Sequence, residues 1–211
     1  MNVQNYIGWF AKDILTRLQY LKDTKEEKGK AVSMLQIDGE ELIVEEQADD
    51  GYANLKVKIT QPCIGVGYLE KAHWGYMDYC KISDGLVIEN KEGIYSIHIF
   101  ELKKTVKSSS WSKAKMQWAG TLLYALMICG FLGITVDFEK VFLYLGYRYN
   151  KLSEQQDAVP IMARAALGDR KPGKGALEWE KDKITLEILD GVTCPYYKVQ
   201  LDEEGEGEYC L

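Results

Sequence analysis

Apolar positions recur along this chain at two periods, and the switches between them mark its elements. Over residues 4–22, Ile7, Phe10, Ile14, Leu18 and Leu21 stand three or four apart, which is the spacing of one face of an α-helix. Residues 31–46 and 53–60 change to alternating apolar and polar side chains, with Asp38-Gly39 and Asp50-Gly51 as turn signals, and predict an antiparallel meander. Gln61-Pro62 ends it, and the glycine- and aromatic-rich stretch 63–80 fits neither period. Two strands are predicted over about 79–88 and 94–103, joined by the polar turn Glu89-Asn90-Lys91-Glu92-Gly93. A helix over about 109–130 follows, then a β-rich run at 138–149, a helix at 154–167, a basic loop at 168–175, and strands at 183–189 and 196–201. The acidic end, 202–208, reads as a solvated tail.

The predicted helix raises a second possibility, because residues 116–136 hold 21 positions without a charge, enough to span a bilayer. Its polar groups are ordered, however. Lys113, Gln117, Thr121 and Tyr124 follow one another at four, four and three residues and so share one stripe of the helix. A buried helix with one polar edge turned toward a site accounts for both the missing charge and the stripe.

Composition narrows the setting. The chain has 211 residues, 46% of them hydrophobic, which suits one domain over 1–211 with a substantial core. Its centre is at about 79–150, with an N-terminal helix and meander at 1–62 and a C-terminal extension at 151–211. A net charge of −6 argues against a protein that coats nucleic acid through its overall field, so any contact with phosphates needs a local basic patch. Lys103, Lys104, Lys107, Lys113 and Lys115 place five positive charges within thirteen residues and could form one. Arg164, Arg170, Lys171 and Lys174 offer a second basic edge. The five cysteines are scattered without a C-x-x-C pair and no basic, then apolar, leader opens the chain; both features point to a reducing cytoplasm.

The candidate chemistry lies at 82–124. Asp84 sits near the start of one predicted strand, while Glu101 and Lys103 end the next, two residues apart and therefore on one face of the sheet. Two carboxylates on neighbouring strands can hold a hard cation that polarises a phosphoryl oxygen, and the Leu102 carbonyl between the side chains could add a ligand. The lysine can hold an attacking water or stabilise developing negative charge. Acid-x-Lys triplets also occur at Asp23-Thr24-Lys25 and Glu26-Glu27-Lys28, so the triplet alone fits an ordinary charged hairpin equally well. Its setting, between an acid-bearing strand and a polar-striped helix, is what singles it out.

This order of acid, hairpin, Glu101-Leu102-Lys103 and a helix with Gln117 resembles the PD-(D/E)xK nuclease superfamily. Residues 115–126, with Gln117 and Tyr124, are similar to the Q-x-x-x-Y-type helix of its RecB-like branch. The resemblance covers about 79–150 and implies an α/β (α+β) fold, a mixed central sheet flanked by helices around a restriction-endonuclease-like αβββαβ core. It further implies a Mg2+- or Mn2+-dependent phosphodiesterase in which activated water attacks DNA. By position, Asp84 and Glu101 resemble the metal ligands, Lys103 the catalytic lysine, Gln117 the orienting helix residue with Tyr124 as its partner, and Lys104, Lys107, Lys113 and Lys115 are candidates for holding substrate. His73, eleven residues before Asp84, and Glu70 are candidates for the family's further ligands. Ser83 stands where many members have proline, and the iron-sulfur cysteines of some RecB-like members are absent.

The family context suggests a subunit of a defence, repair or mobile-element complex whose partners add affinity for DNA, with RNA also an eligible substrate. Two other readings stay open at this point. One is a nuclease-fold module that binds or assembles without catalysis, and the other is a protein anchored in a membrane through 116–136.

Overall fold

The computed structural model describes residues 26–27, 30–31, 35–37, 41–48, 51–61, 63–67, 81–152 and 174–211. The predicted helices at 4–22 and 154–167 lie outside these residues, as do His73 and Glu70. Twelve strands are described: β1 (Glu26–Glu27), β2 (Lys30–Ala31), β3 (Leu35–Ile37), β4 (Glu41–Ala48), β5 (Gly51–Lys58), β6 (Cys63–Gly67), β7 (Gly85–Lys91), β8 (Ile94–Val106), β9 (Val141–Asn150), β10 (Lys183–Leu186), β11 (Val192–Gln200) and β12 (Glu206–Cys210). Helices α1 (Ser108–Leu132) and α2 (Lys174–Trp179) complete a mixed α and β architecture.

Seven strands form the main sheet in the order β10-β11-β9-β8-β7-β6-β3. From β6 to β8 the pairing is antiparallel, whereas β8 and β9 run parallel because α1 carries the chain back between them. The β7–β8 hairpin closes tightly on Glu92 and Gly93, whose φ values of 53° and 87° match the two-residue turns that follow strand twist. Its strands are offset from the expected 79–88 and 94–103, since β7 starts only at Gly85 and β8 runs on to Val106. Asp84 therefore lies in a bend just before its strand.

Two cores follow from the alternation along β8. Ile97 and Ile99 face α1, packing with Trp111, Trp118, Leu122 and Ala125, while Phe100 and Leu102 face the opposite way. That second face is covered, among the described residues, by the three-stranded sheet β12-β5-β4 through Leu42, Val44, Leu55 and Val57, where a helix was expected. Antiparallel β4 and β5 are the later part of the predicted meander.

Over 117–129 helix α1 is apolar apart from Gln117 and Thr121, because every position there is buried or half-buried. Its Trp111 and Trp118 both meet Tyr196 of β11 edge to face, and Trp111 also meets Trp179 of α2, with ring centroids 5.5–5.6 Å apart. A helix without an outer polar face is the form such burial selects. Ser110 Oγ accepts from the Lys107 N–H at the helix start, and Gly133 ends it with φ 68°, while the Ile134 N–H bonds to the Cys129 carbonyl. No helix among the described residues is long and apolar enough to cross a membrane.

Three local expectations are corrected. The run 138–149 begins with a 3-10 turn, Phe138–Lys140, where Asp137 Oδ1 accepts from the Glu139 N–H, before β9 starts. The strand expected at 183–189 stops at Leu186, and Glu187–Leu189 form another 3-10 turn. The acidic end is no free tail: Glu206–Cys210 pairs in parallel with β5. Glu206 and Glu208 stay exposed, while Gly207 lets Leu201 and Leu55 approach the backbone.

Candidate active site

The local chain path brings Asp84, Glu101 and Lys103 together. Pairing of Gly85 with Phe100 continues one step to set Asp84 opposite Glu101, and the Asp84 N–H donates to the Phe100 carbonyl at 3.1 Å. Glu101 and Lys103 continue the row begun by Ile97 and Ile99, which places them at the end of the face that α1 covers. Asp84 and Glu101 are wholly buried and Lys103 is 6% exposed, so three charged groups share an interior site.

Each is only partly satisfied, or satisfied by another charge. Asp84 Oδ2 accepts from the Leu102 N–H at 2.7 Å, whereas Asp84 Oδ1 and Glu101 Oε2 have no hydrogen-bond partner among the described residues. Lys103 Nζ lies 2.5 Å from Glu101 Oε1, 2.6 Å from Glu46 Oε1 and 2.7 Å from the Leu102 carbonyl. Two of these contacts are hydrogen bonds, to Glu46 and the Leu102 carbonyl, and the Glu101 contact is an ion pair, so oxygens surround the ammonium. Burial lifts the Asp84 carboxyl well above its ordinary range, and the neighbouring Glu101 adds to this. Burial also pushes Glu101 up to about 7, against the opposing pull of Lys103. For Lys103, burial alone would favour the neutral amine, but Glu101, Asp84 and Glu46 outweigh it and hold the ammonium charged.

The polar stripe of α1 has a definite task. Gln117 Nε2 donates to the Ile82 carbonyl at 3.0 Å, and Thr121 Oγ1 accepts from the Ser83 N–H at 2.7 Å. The two side chains thus clamp the backbone that leads into Asp84, doing for an irregular segment what ladder bonds do for a strand. Thr121→Val keeps the shape and removes the acceptor, leaving the buried Ser83 N–H alone. It is expected to cost about 1–3 kcal/mol in urea unfolding, and no measurable loss would mean that the clamp is idle.

The other expected residues are spread around this centre. The Leu102 carbonyl is occupied by Lys103 Nζ. Tyr124 is buried in the core beneath α1. Lys115 turns to Glu178, with Nζ 2.7 Å from Oε2, and Trp111 Nε1 donates to the same oxygen at 3.0 Å. Lys104 lies over Gly51, on the other face of β8 from Glu101 and Lys103. Lys107 and Lys113 are exposed, and Lys113 is near enough to favour the Glu101 carboxylate. The five lysines therefore do not form one continuous patch. Of the second basic edge, only Lys174 lies within the described residues.

One participant was not anticipated. Glu46 on β4 follows Leu42 and Val44 at a period of two, so a carboxylate continues a row of inward-facing apolar positions. That misplaced charge was the available signal. His98, by contrast, belongs to the aromatic layer beneath the smaller sheet, with Nδ1 2.9 Å from the Tyr144 hydroxyl and its ring stacked on Phe142.

A hard cation fits the residues present. Two buried carboxylates each offer an unpartnered oxygen, and Mg2+ commonly takes one or two carboxylates and completes its shell with waters and substrate oxygens. Among the described residues no group of three or more His, Cys, Asp or Glu could hold a metal ion, so a cation here would rely on such a sparse protein shell. Comparison with protein-family models, curated proteins and solved structures finds no match for this chain.

Proposed function

We propose that the chain is a Mg2+- or Mn2+-dependent nuclease of the PD-(D/E)xK type that hydrolyses DNA. The observation that carries this reading is the pair of buried, unpartnered carboxylate oxygens, Asp84 Oδ1 and Glu101 Oε2, beside a charged lysine. Two buried carboxylates beside a single lysine are costly to the fold when ionised, and a bound cation would offset that cost. The order β6, β7, β8, α1, β9 also follows the βββαβ portion of the core that the family resemblance implies.

In this reading Asp84 and Glu101 hold the cation, which when bound polarises the phosphoryl group and supplies a nucleophile at neutral pH. Gln117 and Thr121 hold the 82–84 backbone so that Asp84 keeps its aim. Lys103 brings a fixed positive charge to the phosphate as negative charge develops there. Of the groups in contact with Lys103 Nζ, Glu46 is the most exposed, at 19% of its side chain. Lys113 and Lys107 are exposed and available to the flanking phosphates.

Purified protein incubated with single- and double-stranded DNA is expected to cut in Mg2+ or Mn2+ and to be silent in chelator. RNA in parallel decides the substrate class. Asp84→Ala is expected to lower the rate by at least about a hundredfold while the chain stays folded. The competing reading, a nuclease-fold module that binds without cutting, draws on the two hydrogen bonds and the ion pair that hold Lys103 to protein oxygens. It predicts retained DNA on a filter and no cleavage with either metal.

A further inference from the structure

Two of the three acceptors around Lys103, Glu101 and the Leu102 carbonyl, are groups available to a cation in the proposed site. The third, Glu46 Oε1 at 2.6 Å, comes from a different sheet. An ammonium and a divalent cation repel, so Lys103 loses its hold on Glu101 and Leu102 as a cation gains one, and only Glu46 remains to keep it near. The placement of Glu46 is built into the packing. A Cβ on Gly85 would stand 2.8 Å from Val44 Cγ2, so the glycine beside Asp84 is what admits β4 at this point. Two residues beyond Val44, on the same face of the strand, comes Glu46.

We infer that Glu46 is the positioning residue for Lys103, retaining its ammonium at the edge of the Asp84–Glu101 pair when a divalent cation takes over the oxygens that Lys103 otherwise holds. This rests on the nuclease reading and adds to it a division of labour: Asp84 and Glu101 serve the cation, and Glu46 serves the lysine. Glu46 acts through Lys103, with no direct contact to the cation.

A double-mutant cycle read by Mn2+ binding in a calorimeter tests it, with thermal melts showing that each variant is folded. Glu46→Gln keeps an oxygen near Lys103 but removes the charge that draws the ammonium away from Glu101, and is expected to weaken Mn2+ binding about tenfold, the usual scale for a residue that orients others around a metal. In a Lys103→Met background the same substitution is expected to change affinity by less than about twofold, because the side chain it acts on is gone. Glu46→Asp, which keeps the carboxylate, is expected to recover most of the loss. An equal loss in both backgrounds would show that Glu46 acts on the cation itself and would overturn the inference while leaving the nuclease reading intact. No loss in either background would overturn it too. A native chain that binds no Mn2+ at millimolar concentration would remove both.

Discussion

Glu101→Gln is expected to unfold at a higher temperature than the native chain at pH 8, and the advantage is expected to shrink toward nothing by pH 5. Burial pushes the Glu101 carboxyl up to about 7, well above its ordinary value of 4.5. A carboxyl raised on folding binds its proton more tightly in the folded chain. The stability linked to it is complete below about pH 4.5 and is lost as the pH climbs through 7, when the folded protein must carry a buried charge. The shift corresponds to a loss on the order of 3 kcal/mol. Glutamine has nearly the same shape, offers Lys103 an oxygen and never ionises, so it escapes the loss. Asp84 points the same way, its carboxyl raised by burial and then by Glu101. Paired urea titrations of the two proteins at pH 5 and pH 8 give the difference directly. An unchanged or lower stability for Glu101→Gln at pH 8 would show that Lys103 fully compensates Glu101 and would remove the argument that the site is strained for a cation. The same substitution is expected to abolish cleavage, which makes it a case of stability exchanged for function.

The triplet Glu101-Leu102-Lys103 could be read from the sequence because alternation is a local rule: residues two apart share a face whatever lies above them. Helix α1 was legible for the same reason, whereas the turn expected over 89–93 is shorter, because Glu89, Asn90 and Lys91 pair with β8 and leave only Glu92 and Gly93. Partners across the fold were not. The stripe Gln117 and Thr121 suggested a polar edge facing a site, but that it grips the Ile82 carbonyl and the Ser83 amide depends on how far β7 begins from Asp84. The five lysines near α1 look like one cluster in sequence. Strand alternation and helix rotation send Lys104 to one face and Lys115 to Glu178 instead. The parallel pairing of β12 with β5 joins segments about 150 residues apart, and no local pattern announces it. Glu46 falls between these cases. Its position in an inward row was legible, but its partner was not, since Lys103 is reached only through the contact of Val44 with Gly85.

Lys103→Met is expected to lose cleavage while binding Mn2+ about tenfold more tightly than the native chain, because a positive charge next to the cation is removed and Glu101 Oε1 is released. Its stability without metal is expected to move the other way. Methionine fills much of the lysine's volume but leaves Glu101, Asp84 and Glu46 without their shared counter-charge, and removing one partner of a buried pair costs about 3–5 kcal/mol. The cost is largest at pH 8 and smaller at pH 5, where Glu101, raised to about 7, is mostly protonated and has no charge to leave uncompensated. Mn2+ is then expected to restore the variant, by about 2.7 kcal/mol at a hundred times its dissociation constant. A structural lysine whose only duty is to neutralise two carboxylates would give the same instability. It would not give tighter Mn2+ binding together with lost cleavage, so melting curves with and without Mn2+, set beside a nuclease assay on the same preparation, separate a lysine that serves the reaction from one that serves the fold.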